Sequence, residues 1–214
     1  MVTAVTNTTS DAAVRGYSTT ARVLHWVAAL LVAILVPVGL AMTRTGQGPL
    51  TNALYELHKS FGILIFVVML ARAGFRLVHG APPPAPGLTA IELFLSKAVH
   101  VALYVLLLVM PVSGYVGVSM CCSPVNLFWT IPVPISFTGS EATVKSILWM
   151  HSTASYVLIG LFILHLAGAM YHAMIRRDGV LARMWAIRGG AAGRPPPAVA
   201  GAPHRGGGAA RRRP

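Results

Sequence analysis

The sequence predicts an all-α membrane protein, a bundle of four transmembrane helices, from its composition and from the length of its apolar blocks. Of its 214 residues, 55% are hydrophobic and only 10% are charged, and the mean hydropathy is +0.68. A soluble domain carries about 25% charged residues. Too little polar surface is therefore available to cover a water-soluble globule.

The apolar residues fall into four blocks of membrane length. A helix needs roughly 20 apolar residues to cross about 30 Å of hydrocarbon. Helices are the expected form because unpaired backbone groups are costly in lipid. The blocks cover residues 22–44, 58–78, 97–120 and 145–175.

The four blocks divide the chain into three predicted parts. Residues 1–16 form a polar N-terminal segment, and residues 17–187 form the four-helix domain. Residues 188–214 are rich in Gly, Pro and Arg, with almost no large apolar side chains, which predicts a disordered basic tail.

The net charge of +12 is distributed unevenly along the chain. Most arginines and lysines flank the helix ends that share a side with the N-terminus. The positive-inside rule then predicts that both termini are cytoplasmic. Because topology explains most of the basic charge, no nucleic-acid partner is expected. The flanking residues are Arg15, Arg22, Arg72, Arg76, Lys97, Arg176, Arg177, Arg183 and Arg188.

The two cysteines, Cys121 and Cys122, are neighbours at the outer end of the third block. Adjacent cysteines are not expected to pair with each other, because the geometry of such a disulfide is unfavourable. No CxxC motif is present, so neither a thioredoxin-like nor a zinc motif is indicated. The sequence assigns these residues no role.

Histidines are the residues most indicative of function. An ionisable side chain inside a membrane is costly, so its presence there suggests a functional role. Six of the eight histidines lie in or at the ends of the four blocks, and every block contributes at least one. They are His25, His58, His100, His151, His165 and His172.

Two histidines share one face of the fourth predicted helix. His165 follows His151 by fourteen residues, which returns the helix to within about 40° of the same direction and advances about 21 Å. One ligand near each leaflet suits two stacked haems in a helix bundle, since histidine is a standard axial haem ligand. The sequence thus predicts two cofactor sites, one near each membrane surface.

Topology pairs the outer ligands but leaves the inner ones open. The blocks that contain His58 and His151 both enter from the outer side, and both histidines lie near that surface, so they form the only available outer pair. On the inner side, four histidines compete for two axial positions. The shared face with His151 favours His165, and His172 is only about 20° further round. The four candidates are His25, His100, His165 and His172.

The pattern resembles the prokaryotic cytochrome b561 family over roughly residues 17–185. The matching segments are YSTTARVLHW (17–26), LHKSFGILI (57–65), the arginines in MLARAGFRL (69–77), KAVHVALYVLLLVMPVSGY (97–115) and WMHSTASYVLIGLFILHLAGAMYH (149–172). The resemblance implies a bacterial inner-membrane protein with two haem b groups. One resembles a His58–His151 site and the other a His25–His165 site.

The resemblance also implies transmembrane electron transfer to a quinone, either ubiquinone or menaquinone. In some family members the donor is superoxide, which suggests a superoxide:quinone oxidoreductase. His172 corresponds to a residue near the quinone, and His100 is a further neighbour. Lys59 and Lys145 lie beside the outer ligands, where they would attract a small anion or bind haem propionates.

Two other functions remain open at the level of sequence. The first is a cytochrome b subunit that carries electrons for a periplasmic redox protein. The second is a haem-free transporter of protons or solutes that uses its histidines as proton relays. Haem content and turnover by the isolated protein distinguish the three functions.

Overall fold

The computed structural model describes residues 16–122 and 125–185. The predicted N-terminal segment 1–16, apart from Gly16, and the predicted tail 188–214 lie outside these residues. The elements in chain order are α1 (Thr19–Met42), α2 (Pro49–His79), α3 (Ala90–Cys121), β1 (Asn126–Leu127), β2 (Ile131–Pro132) and α4 (Glu141–Met170). A π-helical turn (Tyr171–Arg176) continues α4, and α5 (Ala182–Trp185) follows.

Side chains at the helix starts define where three of the long helices begin. Ser18 accepts a hydrogen bond from the backbone N–H of Ala21 and so caps α1. Thr89 and Glu92 form a reciprocal capping box at the start of α3. Ser140 caps α4. These caps satisfy backbone N–H groups that have no partner within the helix.

All four long helices can cross a membrane. They contain 24, 31, 32 and, with the π-helical turn, 36 residues, each with a strongly apolar stretch. Most of their large apolar side chains face outward, as Leu77, Ile91, Phe94 and Trp149 do. Such a surface suits lipid and not water. The predicted four-helix membrane fold is confirmed.

All four long helices begin further upstream than the apolar blocks that predicted them. α2 begins at Pro49, so His58 lies nine residues inside the helix and not at its start. His100 likewise lies ten residues inside α3, where the sequence placed it at the opening. The extension into charged sequence is possible because Glu56 pairs with Lys59, and Glu141 with Lys145, on one helix face.

The helices pack most closely in three pairs: α1 with α2, α2 with α3, and α3 with α4. Ala28, Leu31 and Val32 of α1 and Ile65 and Met69 of α2 form the buried apolar core. We call the end where α1 and α3 begin the terminal end, and the opposite end the loop end.

The loop between α3 and α4 folds back onto α2 at the loop end. The hydroxyl of the fully buried Ser60 accepts a hydrogen bond of 2.8 Å from the backbone N–H of Phe128. The ring of Phe128 packs edge-on against Phe61, with ring centres 5.5 Å apart. Phe128 and Trp129 both have positive φ angles, which reverses the chain here.

The expectation that Cys121 and Cys122 do not pair is wrong. The structure joins them by a disulfide, with Cα atoms 3.6 Å apart. Successive residues of a helix point about 100° apart. Cys122, however, is the residue at which α3 ends, with φ −129° and ψ 23°. The angle of about 100° between neighbouring helical side chains therefore does not hold for Cys121 and Cys122, and their sulfur atoms can bond.

Candidate metal centre

Two histidines face each other inside the bundle near the loop end. His58 projects from α2 and His151 from α4, with ring centres 6.2 Å apart. Each lies nine or ten residues inside its helix, about 13–15 Å from the helix start. The structure therefore brings together the pair that the sequence predicted for the outer site.

Three histidines meet near the terminal end, and we call them the terminal histidine cluster: His25 of α1, His100 of α3 and His165 of α4. The ring centre of His165 is 6.1 Å from that of His25. The centre of His100 is nearer, at 5.0 Å. His165 is thus the common member of both contacts, as its shared face with His151 predicted.

Ring separation tests which of these pairs can hold one metal ion between them. A metal–imidazole bond is about 2.0–2.1 Å long, and the ring centre lies about 1.1 Å beyond the nitrogen. Two rings on opposite sides of a metal therefore have centres roughly 6.2–6.4 Å apart. The His58–His151 and His25–His165 separations fit this value to within about 0.2 Å. The His100–His165 separation is too short.

Hydrogen bonds at Nδ1 decide which ring nitrogen is free to bind a metal. The Nδ1 of His151 lies 3.0 Å from the carbonyl oxygen of Met110 and 3.2 Å from the hydroxyl of Ser113. A metal-bound histidine usually donates its second N–H to such a carbonyl, which fixes the tautomer and the ring orientation. Nε2 of His151 would then be the nitrogen free to bind a metal. Nδ1 of His58 is buried, and within the described residues the backbone of Leu35 is the polar group beside this ring.

Two glycines lie directly against the rings of the loop-end pair. A Cβ atom on Gly39 would stand 2.9 Å from Cε1 of His58, and one on Gly114 would stand 2.8 Å from Cε1 of His151. Only glycine leaves room for the rings as they are oriented. Gly117 packs against Leu148 instead. A Cβ at Gly62, Gly160 or Gly168 would meet nothing within 4 Å.

The donor set fits a haem better than a metal held by protein alone. Within the described residues, no three His, Cys, Asp or Glu side chains form a group that could hold a metal ion. Paired imidazoles are among the protein ligands that would hold a haem iron. The two histidine pairs also connect α4 to α2 and to α1, and neither is among the closely packed helix pairs. The residues present therefore fit a haem at each pair.

His172 lies apart from the terminal histidine cluster, on the π-helical turn. Its Nδ1 is 2.6 Å from a carboxylate oxygen of Asp178. Arg176 lies 3.5 Å from the same carboxylate and 2.6 Å from Glu92 on α3. Arg177 reverses the chain in the left-handed region, which carries Asp178 back towards His172.

Asp178 was not among the residues singled out from the sequence, because no periodic pattern connects it to His172 across a chain reversal. Burial alone would raise the pKa of its carboxyl. The hydrogen bonds from His172 and from the backbone N–H of Val180, with the nearby Arg176, outweigh burial and hold that pKa below its usual value. Asp178 therefore remains a carboxylate at neutral pH.

Both lysines proposed to attract an anion are ion-paired within their own helices. Lys59 contacts Glu56, and both side chains are largely buried. Lys145 lies 2.6 Å from Glu141, and both side chains are exposed. The two lysines are thus largely neutralised, which leaves Arg44 as the unpaired basic residue at the loop end among the described residues.

The fold and the site define a multi-pass membrane protein whose interior carries paired histidines at two levels. A family model described as prokaryotic cytochrome b561 matches residues 16–186. The chain belongs to this family, as its motifs suggested. The family functions in membrane electron transfer and implies binding of haem b.

Three relatives resemble the chain over most of its length. Cytochrome b561 homolog 2 of Escherichia coli (strain K12) is 28% identical over 169 residues, which cover 78% of this chain and 90% of the relative. Cytochrome b561 homolog 1 of the same organism is 27% identical, covering 78% and 96%. The probable superoxide oxidase CybB of Yersinia pestis is 25% identical, covering 75% and 90%.

Proposed function

We propose that this protein carries electrons across the bacterial inner membrane, from a donor on the periplasmic side to a quinone near the cytoplasmic side. It would do so with two haem b groups, one between His58 and His151 and one between His25 and His165. The observation that carries the proposal is the separation of 6.2 and 6.1 Å in the two pairs. Haem, when bound, supplies the one-electron redox chemistry.

The histidine pairs stand at two depths of the membrane, as electron transfer across it requires. His151 and His165 are fourteen residues apart on α4, about 21 Å along the helix axis. This distance is most of the roughly 30 Å hydrocarbon thickness. Each pair is therefore within reach of one membrane surface.

The charges at the two ends support an orientation with both termini in the cytoplasm. Arg22, Arg72, Arg76 and Lys97 flank the terminal end, whereas Arg44 is the unpaired basic residue described at the loop end. Cytoplasmic loops carry the excess of Lys and Arg in bacterial membrane proteins. The His58–His151 pair would then lie towards the periplasm.

His172 and Asp178 support a quinone acceptor at the terminal end. Reduction of a quinone consumes protons as well as electrons. A histidine whose Nδ1 is held by a carboxylate at 2.6 Å keeps Nε2 available to give or take a proton. His100, whose Nδ1 is bonded to the carbonyl of Ser96 at 2.5 Å, would stand nearby.

Superoxide is the small donor suggested by the relative named probable superoxide oxidase. Ion pairing of Lys59 and Lys145 weakens the attraction for an anion and favours a second candidate. In that function the protein is the cytochrome subunit that receives electrons from a periplasmic redox protein. Turnover of superoxide with quinone by the purified protein alone would select the first function.

A reduced-minus-oxidised visible spectrum with quantified haem tests the proposal first. Two low-spin b haems per chain are expected. His25→Ala and His165→Ala should each lose one haem, whereas His100→Ala and His172→Ala should keep both. A colourless protein from haem-replete cells would overturn the electron-transfer function. Haem loss on replacing His100, with retention on replacing His25, would reverse the ligand assignment.

A further inference from the structure

Arg72 holds a position on α2 that corresponds to the position of His165 on α4. Arg72 follows His58 by fourteen residues, just as His165 follows His151. This spacing advances about 21 Å and returns to nearly the same helix face. Arg72 is half-buried.

A pocket lies beside Arg72, between α1, α2, α3 and the segment around α5. Its polar side chains are Arg72, Arg76, Tyr17 and Tyr104, and no carboxylate of the described residues lines it. Guanidinium groups and phenol hydroxyls can all donate hydrogen bonds. Arg72 is oriented by a hydrogen bond of 3.3 Å to the carbonyl of Ala21 and by the ring of Tyr104, 5.7 Å away. The pocket is therefore lined by donors and by positive charge.

The segment around α5 closes one side of this pocket. The indole N–H of Trp26 donates a hydrogen bond of 3.0 Å to the carbonyl of Met184, which lines the pocket. The ring of Trp185 packs edge-on against Trp26, with centres 5.1 Å apart. The backbone N–H of Tyr17 reaches the carbonyl of Arg183. These contacts hold Tyr17 and Met184 against the helix ends.

No carboxylate in residues 16–122 and 125–185 balances the charge of Arg72 and Arg76. The four acidic side chains described all have partners elsewhere: Glu56 with Lys59, Glu141 with Lys145, Glu92 with Arg176, and Asp178 with His172 and Arg176. A guanidinium held partly out of water at a membrane boundary is costly without a counter-charge. Arg72 and Arg76 therefore have no carboxylate partner among the described residues.

We propose that the pocket binds an oxyanion through Arg72 and Arg76, with the Tyr17 and Tyr104 hydroxyls as further donors. Guanidinium groups pair with carboxylate or phosphate through two parallel hydrogen bonds. The two sources of such a group at this depth are the propionates of a haem at the His25–His165 pair and the phosphate of an anionic lipid. The propionate source rests on the function proposed above, and the lipid source does not.

The test compares Arg72→Gln/Arg76→Gln and Arg76→Gln alone with the wild type and with Lys97→Gln. Lys97 is an exposed basic residue near the same end that does not line the pocket. The single Arg76 variant guards against misfolding, because Arg76 is exposed and forms no ion pair with the acidic residues described. Haem per chain, haem midpoint potentials and phosphatidylglycerol retained from mixed phosphatidylglycerol–phosphatidylcholine vesicles are measured.

A changed midpoint potential of one haem in both arginine variants and also in Arg76→Lys, which keeps the charge but not the paired hydrogen bonds, with Lys97→Gln unchanged, would establish the propionate source. A shift confined to the Gln variants would be a through-space effect of charge and would overturn that source. Unchanged potentials with a several-fold loss of retained phosphatidylglycerol would establish the lipid source. Potentials and lipid retention equal to those of Lys97→Gln in both arginine variants would overturn the site. If the wild type holds no haem, the proposed function fails, and lipid retention still decides whether the pocket binds an oxyanion.

Discussion

Replacing Gly114 with alanine should displace the ring of His151. Gly114 lies on α3 directly against that ring, and an added Cβ would stand 2.8 Å from Cε1 and 3.1 Å from Nδ1. Carbon atoms in favourable contact are about 3.5–4.0 Å apart. The ring must therefore retreat by roughly 0.7 Å or more, against the hydrogen bond of 3.0 Å that holds Nδ1 to Met110.

The magnitude of the effect follows from the precision that ligation requires. Metal–ligand distances in a working site hold to within about 0.2 Å, so a shift of about 0.7 Å is incompatible with an undistorted bond. Forcing an extra methyl group into a packed site costs roughly 1–3 kcal/mol. Because about 1.4 kcal/mol corresponds to a tenfold change, haem at the His58–His151 pair should bind roughly 5- to 150-fold more weakly.

The assay is haem per chain together with the visible spectrum of the reduced protein. Gly114→Ala should lose one of the two proposed haems or show a perturbed low-spin spectrum for it. Gly74→Ala is the matched control, since Gly74 is also helical and its added Cβ would meet nothing within 4 Å. Full haem content with an unaltered spectrum in Gly114→Ala would refute the reasoning.

Three further changes test other parts of the site. Gly39→Ala should weaken haem binding at the same pair, because its Cβ would stand 2.9 Å from His58. Asp178→Asn should lower the melting temperature by a few degrees at neutral pH and remove the loss of stability seen as pH falls below the ordinary aspartate value of 3.8. Lys59→Gln/Lys145→Gln, which leaves the carboxylates of Glu56 and Glu141 without their partners, should repel superoxide and slow superoxide-driven haem reduction several-fold at low salt and less at high salt.

The sign of the Asp178 prediction follows from its lowered pKa. A carboxyl whose pKa is depressed by folding contributes stability above its unfolded pKa, and this contribution is lost as pH falls through the folded value. A pH profile of melting temperature identical in the wild type and Asp178→Asn would contradict it.

The control for the lysine prediction is Glu141→Gln/Lys145→Gln, which keeps the net charge. If Lys59→Gln/Lys145→Gln and Glu141→Gln/Lys145→Gln slow the reaction equally, attraction of the anion by charge is excluded.

The apolar blocks were sufficient to predict the number of helices and their class. The helix starts were not predictable from hydropathy, because Pro49, the Thr89 capping box and the Ser140 cap begin helices within polar sequence. Charged residues there remain helical through pairs such as Glu56–Lys59. In a hydropathy profile, a charged residue marks the end of an apolar segment. The helix itself ends where its backbone hydrogen bonds end.

At the site, helical periodicity predicted the shared face of His151 and His165, and topology predicted the pairing of His58 with His151. Periodicity could not choose between His25 and His100 as the neighbour of His165, since both lie near the same membrane surface. The ring separations of 6.1 and 5.0 Å favour His25 as the second ligand. Such a distance depends on how far each helix lies from α4. The spacing between helices cannot be derived from the periodicity of one helix.

The sequence by itself determined that this chain crosses the membrane four times and carries histidines at two depths. Both properties follow from the length of apolar segments and the fixed rise of a helix. Only the tertiary structure decided that Asp178 holds His172, that Gly39 and Gly114 press against the histidine rings, and that Arg72 and Arg76 share a pocket without a carboxylate. These contacts join residues distant in sequence, and their geometry is set by packing between helices.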